Sequence, residues 1–153
     1  MVVFVGKVFV TAFPNFTEFS KEMSSLSIVR MKLACRNLEN LLLTDEVFTT
    51  LNITWDQLKK RIETWLDANT QHPHLAVMEG FKDNGYDRKN HDIKEMRNDL
   101  MGIIGSAKPW EVVVGQVIAG LSWIDATSFE EEGKMLSYLG KKVVENLIPK
   151  QNS

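Results

Sequence analysis

The stretch KPWEVVVGQVIAGLSWID, Lys108 to Asp125, decides the fold class: between Trp110 and Ile124 it carries a single charge, Glu111, and it is apolar on nearly every side. A bilayer-spanning helix needs about 20 consecutive apolar residues. Trp110 to Ile124 is shorter than that, and Gln116 and Ser122 interrupt it. Pro109 sits where a helix favours proline, at its first turn. The stretch therefore predicts a central, buried helix of a bundle over 110–124. Gly115 and Gly120 within it each cost about 1 kcal/mol relative to alanine, and close approach of a neighbouring helix is the expected compensation.

Working outward, the period near 3.6 recurs along the chain. Ile28, Met31, Cys35, Leu38 and Leu42 form a stripe that predicts a helix over 26–43. A shorter helix is expected from Asn15 or Thr17 through Met23, and a turn capped by Thr44 through Phe48 and Leu51. Thr54 and Gln57 have capping-box spacing and open a helix carrying Trp55, Leu58, Ile62 and Trp65. Pro73 starts a short helix through Leu75, Met78 and Phe81, and Asp83-Asn84-Gly85 is a turn. Asn90 is placed to cap a helix through Ile93, Met96, Leu100 and Ile103, which Gly105-Ser106 ends. A final helix is expected from Ser128 and Glu131, a second capping box, to Leu147, with Pro149 as its stop. The fold expected is mainly α: one compact domain over 1–153, a bundle of six or seven helices around helix 110–124. Valine and phenylalanine dominate Val2 to Phe13, which favours a short β-strand, or a hairpin turning at Gly6-Lys7.

With 153 residues, 44% hydrophobic and 25% charged, the chain can build a core without staples. A single cysteine, Cys35, permits no internal disulfide and suits a reducing compartment. The apolar N-terminus lacks the basic start of a signal peptide and has Lys7 within the run, so a cytoplasmic protein is expected and secretion is the minority reading. The sequons at Asn15 and Asn52 would matter only in that minority case. A net charge of -2 supplies no global attraction for nucleic acid or anionic lipid.

Chemistry is sparse. His72-Pro73-His74 offers two metal ligands where zinc takes three or four, and Glu79 lies off their face, so no metal site is expected. Cys35 lies on an apolar stripe, which predicts a buried, unreactive thiol. Glu130, Glu131 and Glu132 read as helix N-terminal acids rather than a catalytic pair. Neither phosphate-loop spacing nor a nucleophile elbow occurs, so neither an enzyme nor a cofactor is expected.

Binding is the remaining class. A protein-interaction or structural module is expected, as a homo-oligomer or with a heterologous protein, through Val3, Phe4, Val5, Val8, Phe9 and Val10. The alternative is RNA or single-stranded nucleic acid on a local patch of Lys59, Lys60, Arg61, Arg88 and Lys89. A second alternative is a small-molecule carrier, or a groove-binding regulator similar to Bcl-2-like bundles in having an aromatic, Trp110, open its apolar helix. That family's Asn-Trp-Gly-Arg start is replaced by Lys108-Pro109-Trp110-Glu111, so no family is identified.

Overall fold

The computed structural model describes residues 2–3, 30–121 and 129–147. The chain divides into two compact units, Met1–Lys32 and Leu33–Ser153. In the first, strand β1 (Val2–Val3) pairs antiparallel with β2 (Arg30–Met31), Val2 opposite Met31 and Val3 opposite Arg30. The rest of the strand or hairpin expected over 2–13, and the helix expected near residues 15–23, lie outside the described residues.

The second unit is mainly helical. A 3-10 helix, η1 (Leu38–Leu43), precedes α1 (Asp45–Thr50), α2 (Trp55–Ala68), α3 (Leu75–Asp83), α4 (Arg97–Ile104), α5 (Trp110–Ala119), α6 (Met135–Leu139) and α7 (Lys141–Leu147). α2 packs on α3 and α4, α1 on η1 and α5, and α5 also on α4 and η1; α6 meets η1 and α7. Leu41, Leu42, Leu58, Ile62, Phe81, Ile93, Leu100 and Val113 are among the residues that fill the core.

Local chemistry sets the best-defined ends. Thr54 Oγ1 accepts from Gln57 N–H at 3.2 Å while Gln57 Oε1 accepts from Thr54 N–H at 2.9 Å, so both donors at the start of α2 are satisfied. Gly105 takes φ +84° and closes α4, and Gly85 takes φ +75° in the turn after α3.

Several expectations are corrected. Positions 32–37 are not helical, because their amides are committed elsewhere: Ala34 N–H donates to Tyr138 O and Arg36 N–H to Lys89 O. Of the helix expected over 26–43, residues 26–29 lie outside the described residues, Arg30–Met31 form β2, and only η1 is helical. Asn90 does not cap a helix; its side chain donates to the Asp87 carboxylate, and α4 begins only at Arg97. The last helix is cut in two at Gly140, whose φ of +83° no helix allows; residues 129–134 are not α-helical, α6 starts at Met135, and Ser128 lies outside the described residues. The apolar helix ends at Ala119 with Gly120 as its cap, and residues 122–124 lie outside the described residues. Nor is it central: five of its ten residues, Glu111, Val112, Gly115, Gln116 and Ala119, are exposed. No side chain among the described residues lies within 4 Å of a Cβ placed on Gly115, so the close helix approach expected there is not what the glycine serves.

One polar hub joins the non-helical segments. Asn40 is 0% exposed; its Nδ2 donates to Arg88 O at 2.9 Å and His91 O at 2.8 Å, while its Oδ1 accepts from Asn37 N–H. Arg88 Nη1 donates to Asp45 Oδ1 at 2.8 Å and to Leu43 O. The guanidinium lies 4.9 Å from the Trp55 ring centre and 5.9 Å from that of Phe48, and those two rings stack on each other. Gly133 closes the hub from the far end of the chain: its carbonyl accepts from Asp45 N–H, and Glu46 Oε2 accepts from Met135 N–H at 2.9 Å. A Cβ at Gly133 would overlap Arg88 Nη2 and sit 2.8 Å from Asp45 Oδ1.

Gly133→Ala should therefore destabilise more than Gly105→Ala. Both glycines have φ near +84°, so the backbone cost of about 1 kcal/mol is common to both. Only position 133 adds a clash with the Arg88–Asp45 ion pair, since Gly105 faces open space. Urea unfolding of the two variants checks this; equal losses would contradict the hub.

Candidate functional site

The basic residues proposed as a nucleic-acid patch are not equally available. Lys59 Nζ pairs with Asp56 Oδ1 at 2.8 Å and sits over Trp55, and the bond from Lys59 holds the Asp56 carboxyl below its usual value. Lys60 is exposed. Arg61 reaches across to α4, donating to Ile104 O at 2.9 Å and Ile103 O at 3.3 Å, where it satisfies helix-terminal carbonyls. Arg88 belongs to the hub, and Lys89 lies over the Tyr138 ring at 5.8 Å. Of the five, Lys60 alone has no described partner among these ion pairs, ring contacts and side-chain hydrogen bonds. The N-terminal interface candidates Phe4, Val5, Val8, Phe9 and Val10 lie outside the described residues, and Val3 belongs to β1.

The exposed side of α5 stands out by composition. Trp110, Val113, Val114 and Val117 face the core, as 3.6 periodicity requires, and the exposed side carries Val112, Gly115 and Ala119 between Glu111 and Gln116, with Glu111 its only charge. Val112 is 45% exposed, the one large apolar side chain so placed among the described residues. Beside it runs a cavity of about 310 Å³ lined by Thr50, Leu51, Ile104, Lys108, Val113 and Gln116, among others. Lys108 Nζ and Gln116 Oε1 meet across it at 3.5 Å.

A second, smaller cavity of about 170 Å³ is lined by Asp87, Lys89, Tyr138 and the three glutamates Glu130, Glu131 and Glu132. These glutamates are exposed in a turn ahead of α6, not in a helical first turn as the spacing suggests. Asp87 is the anchor of this edge: its Oδ1 accepts from Lys89 N–H and Asn90 N–H, and despite burial those bonds hold its carboxyl below the usual 3.8.

The histidines come together with a residue far along the chain. His74 Nδ1 lies 2.6 Å from Asp99 Oδ2, and His72 Nε2 lies 3.7 Å from Asp99 Oδ1. Asp99 stands in the first turn of α4, whose dipole favours a carboxylate there. The sequence reading missed it because 25 residues separate Asp99 from His74 and no local pattern connects them. His91 joins neither; its Nδ1 lies 2.7 Å from Asn84 Nδ2 and its ring packs on Phe81.

Cys35 is buried, as expected, although in an irregular segment rather than on a helix; its Sγ donates to Asn37 O at 3.2 Å. Burial pushes the thiol up to about 11. The chain matches no protein-family model, no curated protein and no solved structure.

Because the folded value of Cys35 exceeds the unfolded 9.0, the folded chain holds the thiol proton more tightly. Its contribution is intact below pH 9.0 and is lost as pH rises toward 11. In the native state alkylation by iodoacetamide at pH 8 should be at least tenfold slower than after denaturation, since only the thiolate attacks. Equal rates, followed by mass spectrometry, would place Cys35 at the surface.

Proposed function

We propose that this chain is a non-catalytic helical protein-interaction module that associates with a second copy of itself. One observation carries the reading: an almost uncharged helix, α5, turns Val112, Gly115 and Ala119 to the outside. Exposed apolar surface is stabilised when a partner removes it from water, by about 25 cal/mol for each Å². Gly115 leaves room for a neighbouring backbone, and the adjacent cavity of about 310 Å³ suits a projecting aliphatic side chain. In a two-fold pair, Val112 of each copy meets the cavity of the other. Val3, Phe4, Val5, Val8, Phe9 and Val10 are a further apolar strip for association in this reading. The cytoplasm is the compartment a lone, buried thiol suits. No described helix is long and apolar enough to cross a membrane.

The runner-up, RNA or single-stranded nucleic acid bound at Lys59, Lys60, Arg61, Arg88 and Lys89, has weaker support. Phosphate contacts need available cations, and Arg61 and Arg88 are engaged in internal hydrogen bonds.

Light scattering behind size-exclusion chromatography, with absorbance at 260 and 280 nm, distinguishes the two. The expected peak is a protein-only multimer. Val112→Glu should raise the dissociation constant at least tenfold, about 1.4 kcal/mol, while its circular dichroism keeps the helical signal of the folded chain. An unchanged mass for Val112→Glu would remove α5 as the interface, and salt-sensitive 260 nm excess would favour nucleic acid.

A further inference from the structure

We propose that His72, His74 and Asp99 form a binding site for one divalent transition-metal ion of the zinc class, a site the self-association reading does not use. Their ligand atoms all lie within 4.8 Å of one another, and all three side chains are part-buried rather than splayed into solvent. Two imidazoles and a carboxylate are a donor set that zinc takes in open, three-ligand sites, with water completing the tetrahedron. The objection from sequence was that His-Pro-His supplies only two ligands; the fold supplies the third from α4.

A hydrogen-bonded cluster accounts for only part of the geometry. The 2.6 Å contact between His74 Nδ1 and Asp99 Oδ2 is a hydrogen bond with a proton between the atoms. The 3.7 Å separation of His72 Nε2 from Asp99 Oδ1 is too long for one. It is close to the spacing of two ligands on one ion: bonds of about 2.0 to 2.1 Å at tetrahedral angles put donor atoms roughly 3.3 Å apart. An ion replacing the shared proton would separate His74 from Asp99 and draw His72 inward, each by less than about 1 Å on that geometry.

The ligands are pre-positioned by their surroundings. His72 N–H donates to Asn69 O and His72 O accepts from Leu75 N–H, so the turn between α2 and α3 is pinned on both sides of Pro73. The His72 ring meets the edge of Trp65 with centroids 4.8 Å apart. His74 N–H donates to His72 Nδ1 at 3.2 Å, which in the metal-free chain directs the ring with Nε2 toward Asp99. Binding at Nε2 moves the ring proton to Nδ1, where it faces the His74 N–H, so the ring and that amide must move apart as the bond is lost. The ion would fasten the α2–α3 turn to α4.

Isothermal titration of the full chain, stripped with EDTA and titrated with zinc chloride at pH 7.5, tests the site. The result expected is one saturable site per chain and a higher melting temperature with zinc. Affinity should fall at least tenfold in Asp99→Asn and in His72→Ala. Asp99→Asn preserves side-chain volume, and its melting temperature without zinc reports that it folds. Cys35→Ser should bind zinc as the unaltered chain does. Absence of saturable binding, binding that survives both ligand variants, or binding lost in Cys35→Ser alone would overturn the proposal.

Discussion

The guanidinium of Arg88 is the contact on which the helical unit depends. It caps the stacked pair Phe48 and Trp55, binds the carboxylate of Asp45 at the start of α1, and reaches the carbonyl of Leu43 at the end of η1. Its own carbonyl is held by the buried amide of Asn40. A charge removed from water this far is stable only when paired, and here its partners lie at the end of η1, on α1 and at the start of α2. The helices need such a tie. They run from 5 residues in α6 to 14 in α2, and isolated helices below about 12 residues are marginal in water.

The same contact explains which parts of the fold were legible in the sequence. Thr54 and Gln57, Asp83-Asn84-Gly85, and Gly105 act through neighbours a few residues away, and their roles could be read directly. The period across Ile28, Met31, Cys35 and Leu38 was equally regular, yet positions 32–37 are not helical. Ala34 and Arg36 give their amides to carbonyls about 100 and about 50 residues away, and helix-like spacing holds no record of that. Gly133 was silent in the sequence for the same reason: its lack of a side chain matters only where Arg88 and Asp45 approach it. Asp99 is the functional counterpart, a carboxylate that becomes a partner for His72 and His74 only after α4 folds against the end of α2.

Sequence composition and three-dimensional position diverge most in α5. Near-uniform apolarity argued for a helix enclosed on all sides, but α5 buries one face against α1, α4 and η1 and leaves the other outside. The exposed Val112, beside Gly115 and Ala119 on that outer side, gives the self-association proposal its physical basis. The basic residues diverge in the opposite sense. A run of lysine and arginine in the sequence suggests a surface patch, yet Arg61 terminates α4 and Arg88 organises the hub.

Native-state hydrogen exchange tests the dependence on this hub most directly. The amides of Arg36 and Asp45, bonded to Lys89 O and Gly133 O in non-helical segments, are the reporters. If the hub holds the unit together, both exchange with the same opening free energy as Ile62 in the middle of α2. Fast exchange at Arg36 and Asp45 while Ile62 stays protected would show the helices standing without it, and would contradict the account.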